Sequence, residues 1–187
     1  MTRHLGRPSG YHRLFVLLWV ALMLAPLGRA QNTADSMQIS AIEAPLQQRG
    51  QATLRVMFWR IYDSALMTPN GDWWPGIRPL RLEIRYRRAI RADMLLEQTE
   101  KEWSAQGIDH PRKLAWLSEL RSLWPDVQPG DALHFEVNAQ ELGIFTLNGE
   151  ILGEIDDPDF SSAFLAIWLS PDTTRPALRA QLIGLDQ

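Results

Sequence analysis

The 187-residue chain contains no cysteine. A disulfide framework, thiol catalysis and Cys-ligated zinc or iron–sulfur centres are therefore excluded. Histidine is scarce, four in all, and His4 and His12 fall within the first 30 residues. The remainder keeps only His110 and His134, too few for a multi-histidine metal site. Neither sign of charge dominates, with 19 Lys+Arg against 22 Asp+Glu and a formal −3. No apolar run reaches the roughly 20 residues that a membrane-crossing helix needs. There is no Gly-x-Ser-x-Gly elbow, P-loop or dinucleotide fingerprint, and no cofactor is expected. What is plentiful is tryptophan, eight residues in a chain that is 45% hydrophobic. That composition describes a folded domain with a real core, not a disordered chain.

Residues 1–30 read as a secretory signal. Arg3, Arg7 and Arg13 make a basic start, Leu14 to Leu24 is unbroken and apolar, and Pro26 and Gly28-Arg29-Ala30 supply the break and the small residues of a cleavage site. The protein is accordingly expected to be exported, to the periplasm, with no transmembrane span after cleavage. Loss of Arg3, Arg7, Arg13 and Arg29 takes the formal charge from −3 to −7. An acidic domain of this kind is not expected to bind nucleic acid. Residues 31–48 are polar and read as a leader or edge segment, and residues 49–187 as the domain.

Gly50 to Met67 carries apolar groups on both faces, as a strand or hairpin covered on both sides would. Leu80 to Arg88 alternates, Leu82, Ile84 and Tyr86 against Arg81, Glu83, Arg85 and Arg87, which predicts a strand with one solvent face. The spacing turns helical over Asp93–Gln106. A second helix is expected from an Asp109 cap and Pro111 to Trp124, burying Leu114, Leu117, Leu120 and Trp124. Strands are predicted at Ala132–Val137, Gly143–Leu147 and Ile151–Ile155, the last two joined by an Asn148-Gly149 hairpin turn. Asp157-Pro158 opens a largely buried helix, and Arg175–Ile183, with Thr174 as cap and Gly184 as stop, closes the chain. Strands and helices segregated in this way predict an α+β fold, an antiparallel sheet covered by a layer of helices.

Little of this carries obvious chemistry. The arginines from Arg78 to Arg91 read as a solvent face, although an anionic-lipid or phosphate surface would use the same charges. Asp156, Asp157 and Asp159 are explained by a helix start and lack calcium-loop spacing. His134 reads as structural. The seven tryptophans after residue 30 could fill a core, line an apolar pocket, or, at Trp73-Trp74, form an exposed patch. Arg55 stands apart, because a guanidinium in a covered strand needs an anionic partner, either Glu43 or Asp63 of the protein or the carboxylate or ketone oxygen of a ligand.

The stretch Phe145 to Phe160 (FTLNGEILGEIDDPDF), with Ala163-Phe164, Ile167-Trp168-Leu169, Pro171, Thr174, Pro176, Leu178-Arg179 and Gly184, resembles bacterial chalcone isomerase-like proteins. So do Gly50 to Arg55, Ile61 to Leu66 and Pro129-Gly130-Asp131. The resemblance implies a ligand cleft between an antiparallel sheet and helices. Family enzymes close a chalcone to a flavanone, with an arginine and hydroxyl groups stabilising the enolate; other members bind fatty acids through the arginine. Carried over, the arginine is similar to Arg55 and the neighbouring hydroxyl residue to Tyr62, whereas a late-helix threonine falls at Ile167, which has no donor. These departures favour a non-catalytic binder of a small apolar anion such as a fatty acid, with Arg55 and Tyr62 as polar anchors. The alternatives are an envelope module with a protein partner and an intramolecular lyase or isomerase acting on an unknown enone.

Overall fold

The computed structural model describes residues 45–185; the signal and most of the leader segment lie outside them. Six strands run antiparallel in chain order: β1 (Leu46–Val56), β2 (Trp59–Pro69), β3 (Leu80–Tyr86), β4 (Ala132–Val137), β5 (Gly143–Leu147) and β6 (Glu150–Ile155). Two helices, α1 (Ala92–Ala105) and α2 (Lys113–Leu123), interrupt the meander after β3, and α3 (Pro158–Leu169) and α4 (Pro176–Ile183) follow it. This is the expected α+β architecture. β1 starts inside the segment read as leader or edge and lies at one edge of the sheet.

Local chemistry accounts for most boundaries. Asn148 and Gly149 both have positive φ, 53° and 89°, as a two-residue hairpin turn between β5 and β6 requires. Asp157 caps α3, its Oδ1 accepting from the Asp159 backbone N–H at 3.0 Å, with Pro158 in the first turn. Two expected starts differ. Asp109 does not cap α2, which begins only at Lys113 after a turn in which His110 Nδ1 accepts from the Arg112 N–H at 3.2 Å. The buried stripe runs through Trp116, Leu120 and Trp124 and does not include Leu114, which lies two residues, about 200° of helix, from Trp116 and is 76% exposed. Thr174 does not cap α4 either; the Thr173 hydroxyl accepts from the Arg175 N–H, and Thr174 turns to Glu102.

Among the described residues, the helices cover one face of the sheet. On β3, Leu80, Leu82, Ile84 and Tyr86 are buried while Arg81, Glu83 and Arg85 point the other way. Period-two alternation decides this, and the same rule corrects the doubly covered reading of the Gly50–Met67 segment. There, the surplus apolar residues gather at the β1–β2 turn and are exposed: Met57 at 83%, Phe58 at 90% and Trp59 at 58%.

The covered face is packed unevenly. Over β4–β6 it is filled by Phe135, Phe145, Phe160, Phe164, Trp103 and Trp116, largely edge-to-face with ring centroids 4.5–6.4 Å apart. The Trp116 indole N–H donates to Asp157 Oδ2 at 2.7 Å and that of Trp103 to the Ala163 carbonyl at 2.9 Å, so these buried rings leave no orphaned donor. Over β1–β3 the helices stand off, and the face lines a hollow.

Candidate functional site

Leu54 and Val56 of β1, Ile61 and Tyr62 of β2, and Ile84 and Tyr86 of β3 form the floor of this hollow. A bulge makes the floor wider than alternation allows. Leu54 pairs with Tyr62 and Arg55 with Arg60, so Ile61 is the extra residue and joins Tyr62 in facing the cavity. One wall is α1, through Leu95, Gln98, Thr99 and Glu102; the other is α3, through Phe164, Ile167 and Trp168. The cavity volume is about 460 Å³ and the lining is mostly apolar, a size suited to a small organic ligand, for which roughly 300–1,000 Å³ is usual.

The few polar groups in the wall converge. The Tyr62 hydroxyl accepts from the Trp168 indole N–H at 2.9 Å, which leaves its own proton to donate. Burial pushes this phenol up to about 12, against the opposing influence of the Trp168 hydrogen bond and the Arg175 charge. Tyr62 is thus a neutral donor and not a base at ordinary pH. Glu102, 8% exposed, accepts from Gln98 Nε2 at 2.7 Å and Thr174 Oγ1 at 2.6 Å. Arg175 at the start of α4 and Arg88 after β3 bring two guanidinium groups to the lining. Neither has a carboxylate partner among the described residues, and Arg88 lies over the Trp59 ring at 4.3 Å from its centroid.

Of the two residues expected from the sequence, Tyr62 lines the cavity and Arg55 does not. Arg55 lies between Leu54 and Val56, both facing inward, so its side chain leaves on the open face of the sheet and is exposed. It stands there beside Arg60 and Asp63 and not at the mouth of the hollow. Asp63 is engaged by others, accepting from Thr53 at 2.6 Å and Arg60 at 2.8 Å and pairing with Arg87 at 2.5 Å. Ile167 lines the cavity without a donor, as the carry-over implied.

Glu102 and Arg175 were missed, although each left a signal. Glu102 is three residues beyond Thr99 on the buried stripe of α1, where a carboxylate is unusual. Arg175 sits at a helix N-terminus, where the helix dipole disfavours a cation. The other candidates are structural. Asp157 is tied to Trp116 and to Arg112 at 2.8 Å. His134 lies on the open face between Glu83 and Glu136, with burial lowering its pKa, and no metal-binding cluster occurs among the described residues.

The comparisons agree with this architecture. A 126-residue stretch is 29% identical to an uncharacterised protein of Haemophilus influenzae, covering 67% of this chain and 62% of that protein's length. The fold is similar to the crystal structure of an Arabidopsis thaliana fatty-acid binding protein, with a TM-score of 0.55 over 75% of this chain and 85% of that one, at 6% identity. The family model described as chalcone isomerase-like matches residues 29–184. With that match spanning most of its length, the chain belongs to the chalcone isomerase-like family.

Proposed function

We propose that this protein is an exported, periplasmic, non-catalytic binder of a small apolar acid, a long-chain fatty acid being the simplest match. The observation that carries the reading is the hollow of about 460 Å³ whose greasy floor and walls are interrupted at Tyr62, Arg88 and Arg175. An acyl chain would replace water against Leu54, Ile61, Ile84, Leu95 and Ile167, gaining about 0.8 kcal/mol per buried CH₂. Its carboxylate would accept a hydrogen bond from the Tyr62 O–H and face the charge of Arg175, with the Glu102 carboxylate already occupied by Gln98 and Thr174. The fatty-acid binding protein of similar fold supports this choice of ligand class.

Catalysis is less well supported. Ile167 offers no donor to a developing enolate, the Thr99 hydroxyl is spent on the Leu95 carbonyl at 2.9 Å, and Tyr62 holds its proton too tightly to serve as a base.

The test is a displacement titration of delipidated protein with a fluorescent fatty acid, competed by a long-chain acid and by the alcohol of equal length. Arg175→Ala should weaken the acid by about tenfold, the scale of one lost charge-assisted hydrogen bond, and leave the alcohol nearly unchanged. Arg55→Ala should change neither. Absence of saturable binding by any acid, or an equal loss with both ligands, would overturn the reading.

A further inference from the structure

The β1–β2 turn is an unusual end for a sheet. Phe58 is 90% exposed, Met57 83%, Trp59 58% and Val56 45%, four consecutive exposed apolar residues. Met57 holds a positive φ of 52° to make the turn, so the tip is tight and preformed. Scattered exposed apolar residues are ordinary, but four at one apex are not. They also have a basic collar. Arg55 and Arg60 are directly paired across the two strands, where like charges repel. Arg87 and Arg88 lie at the adjacent end of β3. Asp63 is the carboxylate bound to this group, and it is shared between Arg60 and Arg87. Arg91 adds no net charge, being paired with Asp93.

An apolar apex carrying a tryptophan above a ring of arginines has the chemistry of a lipid–water interface. The apex residues fit the acyl boundary, the indole fits the headgroup level, and guanidinium groups meet anionic phosphates. The cavity continues into the same surface. Val56 and Arg88 belong to the tip and to the lining alike, and Met94 of α1, also lining, is 56% exposed.

We propose that the β1–β2 tip inserts into the interface of an anionic lipid bilayer, bringing the cavity mouth against the acyl chains so that ligand passes between cavity and membrane. The exchange rests on the binding reading above; the insertion does not.

Because the chain has no cysteine, Met57→Cys gives a unique attachment point for a polarity-sensitive fluorophore. Ala139→Cys, exposed in the β4–β5 connection at the opposite end of the sheet, is the control. In the full chain, vesicles of phosphatidylcholine with phosphatidylglycerol should shift the emission at position 57 to the blue and leave position 139 unchanged. Phosphatidylcholine alone should act much more weakly. Phe58→Asp, at a side chain that touches little, should raise the lipid concentration needed by about tenfold or more, and Arg55→Glu by about fivefold, with a shallower salt dependence. No shift at position 57, or equal shifts at both positions, would overturn the proposal. A shift that appears without vesicles and grows with protein concentration would also overturn it and assign the tip to a second copy of the chain. Fatty-acid displacement, run without vesicles, succeeds or fails independently of these outcomes.

Discussion

Tyr62 joins the stability of the domain to the hydrogen-bonding capacity of the cavity. Its oxygen satisfies the Trp168 N–H, and its own O–H is left as a donor in the cavity lining. Tyr62→Phe keeps the ring and the edge-to-face contact with Tyr86 at 6.3 Å but strands the indole donor. Unfolding in urea should show a loss of about 1–2 kcal/mol, the cost of an unsatisfied buried group. The same variant should bind the acid and the alcohol more weakly to similar extents, since a phenol donates to either oxygen. Arg175→Ala, by contrast, should separate the two ligands. That difference assigns the charge recognition to α4 and the hydrogen bond to β2.

Among the elements, the junction of β1 with α4 is the most tightly specified. A Cβ at Gly50 would collide with the carbonyl oxygens of Gln181 and Leu182, so the strand can meet the end of the helix only with glycine there. Arg49 completes the joint, its Nε donating to the Ile183 carbonyl at 2.8 Å at the negative end of α4. Gly50→Ala should therefore lower stability by about 2–3 kcal/mol, the scale of overpacking in a rigid contact, as read from the urea midpoint. Strand and helix existence was legible in the residues because alternation, the Asn148-Gly149 turn and the Asp157-Pro158 start are local signals. The site was half legible. Tyr62 was reached through the family resemblance, whereas Arg55 was singled out because the Gly50–Met67 segment read as covered on both faces, and the resemblance then matched it to the cleft; the structure leaves its face of β1 open. Arg175 escaped notice because the residues it shares the cavity with, Tyr62 and those of α1, are far away in sequence. The Ile61 bulge has no signature in composition or period.

For the whole molecule, stability should fall in acid. Burial pushes the Asp63 carboxyl up, but hydrogen bonds from Thr53, Arg60 and Arg87 outweigh it and hold the pKa at about 2. Asp157 follows the same logic, with burial opposed by the Trp116 N–H, the Asp159 backbone and Arg112, and a net lowering. A folded pKa below the unfolded one means stability that is complete above about pH 4 and lost as pH falls toward 2. Asp63, being partly exposed, should contribute about 1–2 kcal/mol of this. Urea midpoints measured between pH 2 and pH 6 should fall across that window, and Asp63→Asn should flatten the fall. A profile that is level down to pH 2 would contradict the pairing.

The Arg49 joint has a geometrical consequence as well. It fastens the first turn of β1 to residues 183–184, while Asn70 holds Pro45 at the same end of the sheet. Both ends of the span 45–185 therefore leave the domain at one pole, about 35 Å along β1 from the hairpin apex at a rise of roughly 3.3 Å per residue. A tag, tether or fusion partner attached at either end of that span would hang from the pole opposite the opening, and joining the two ends to recut the chain elsewhere would leave the cavity mouth unobstructed.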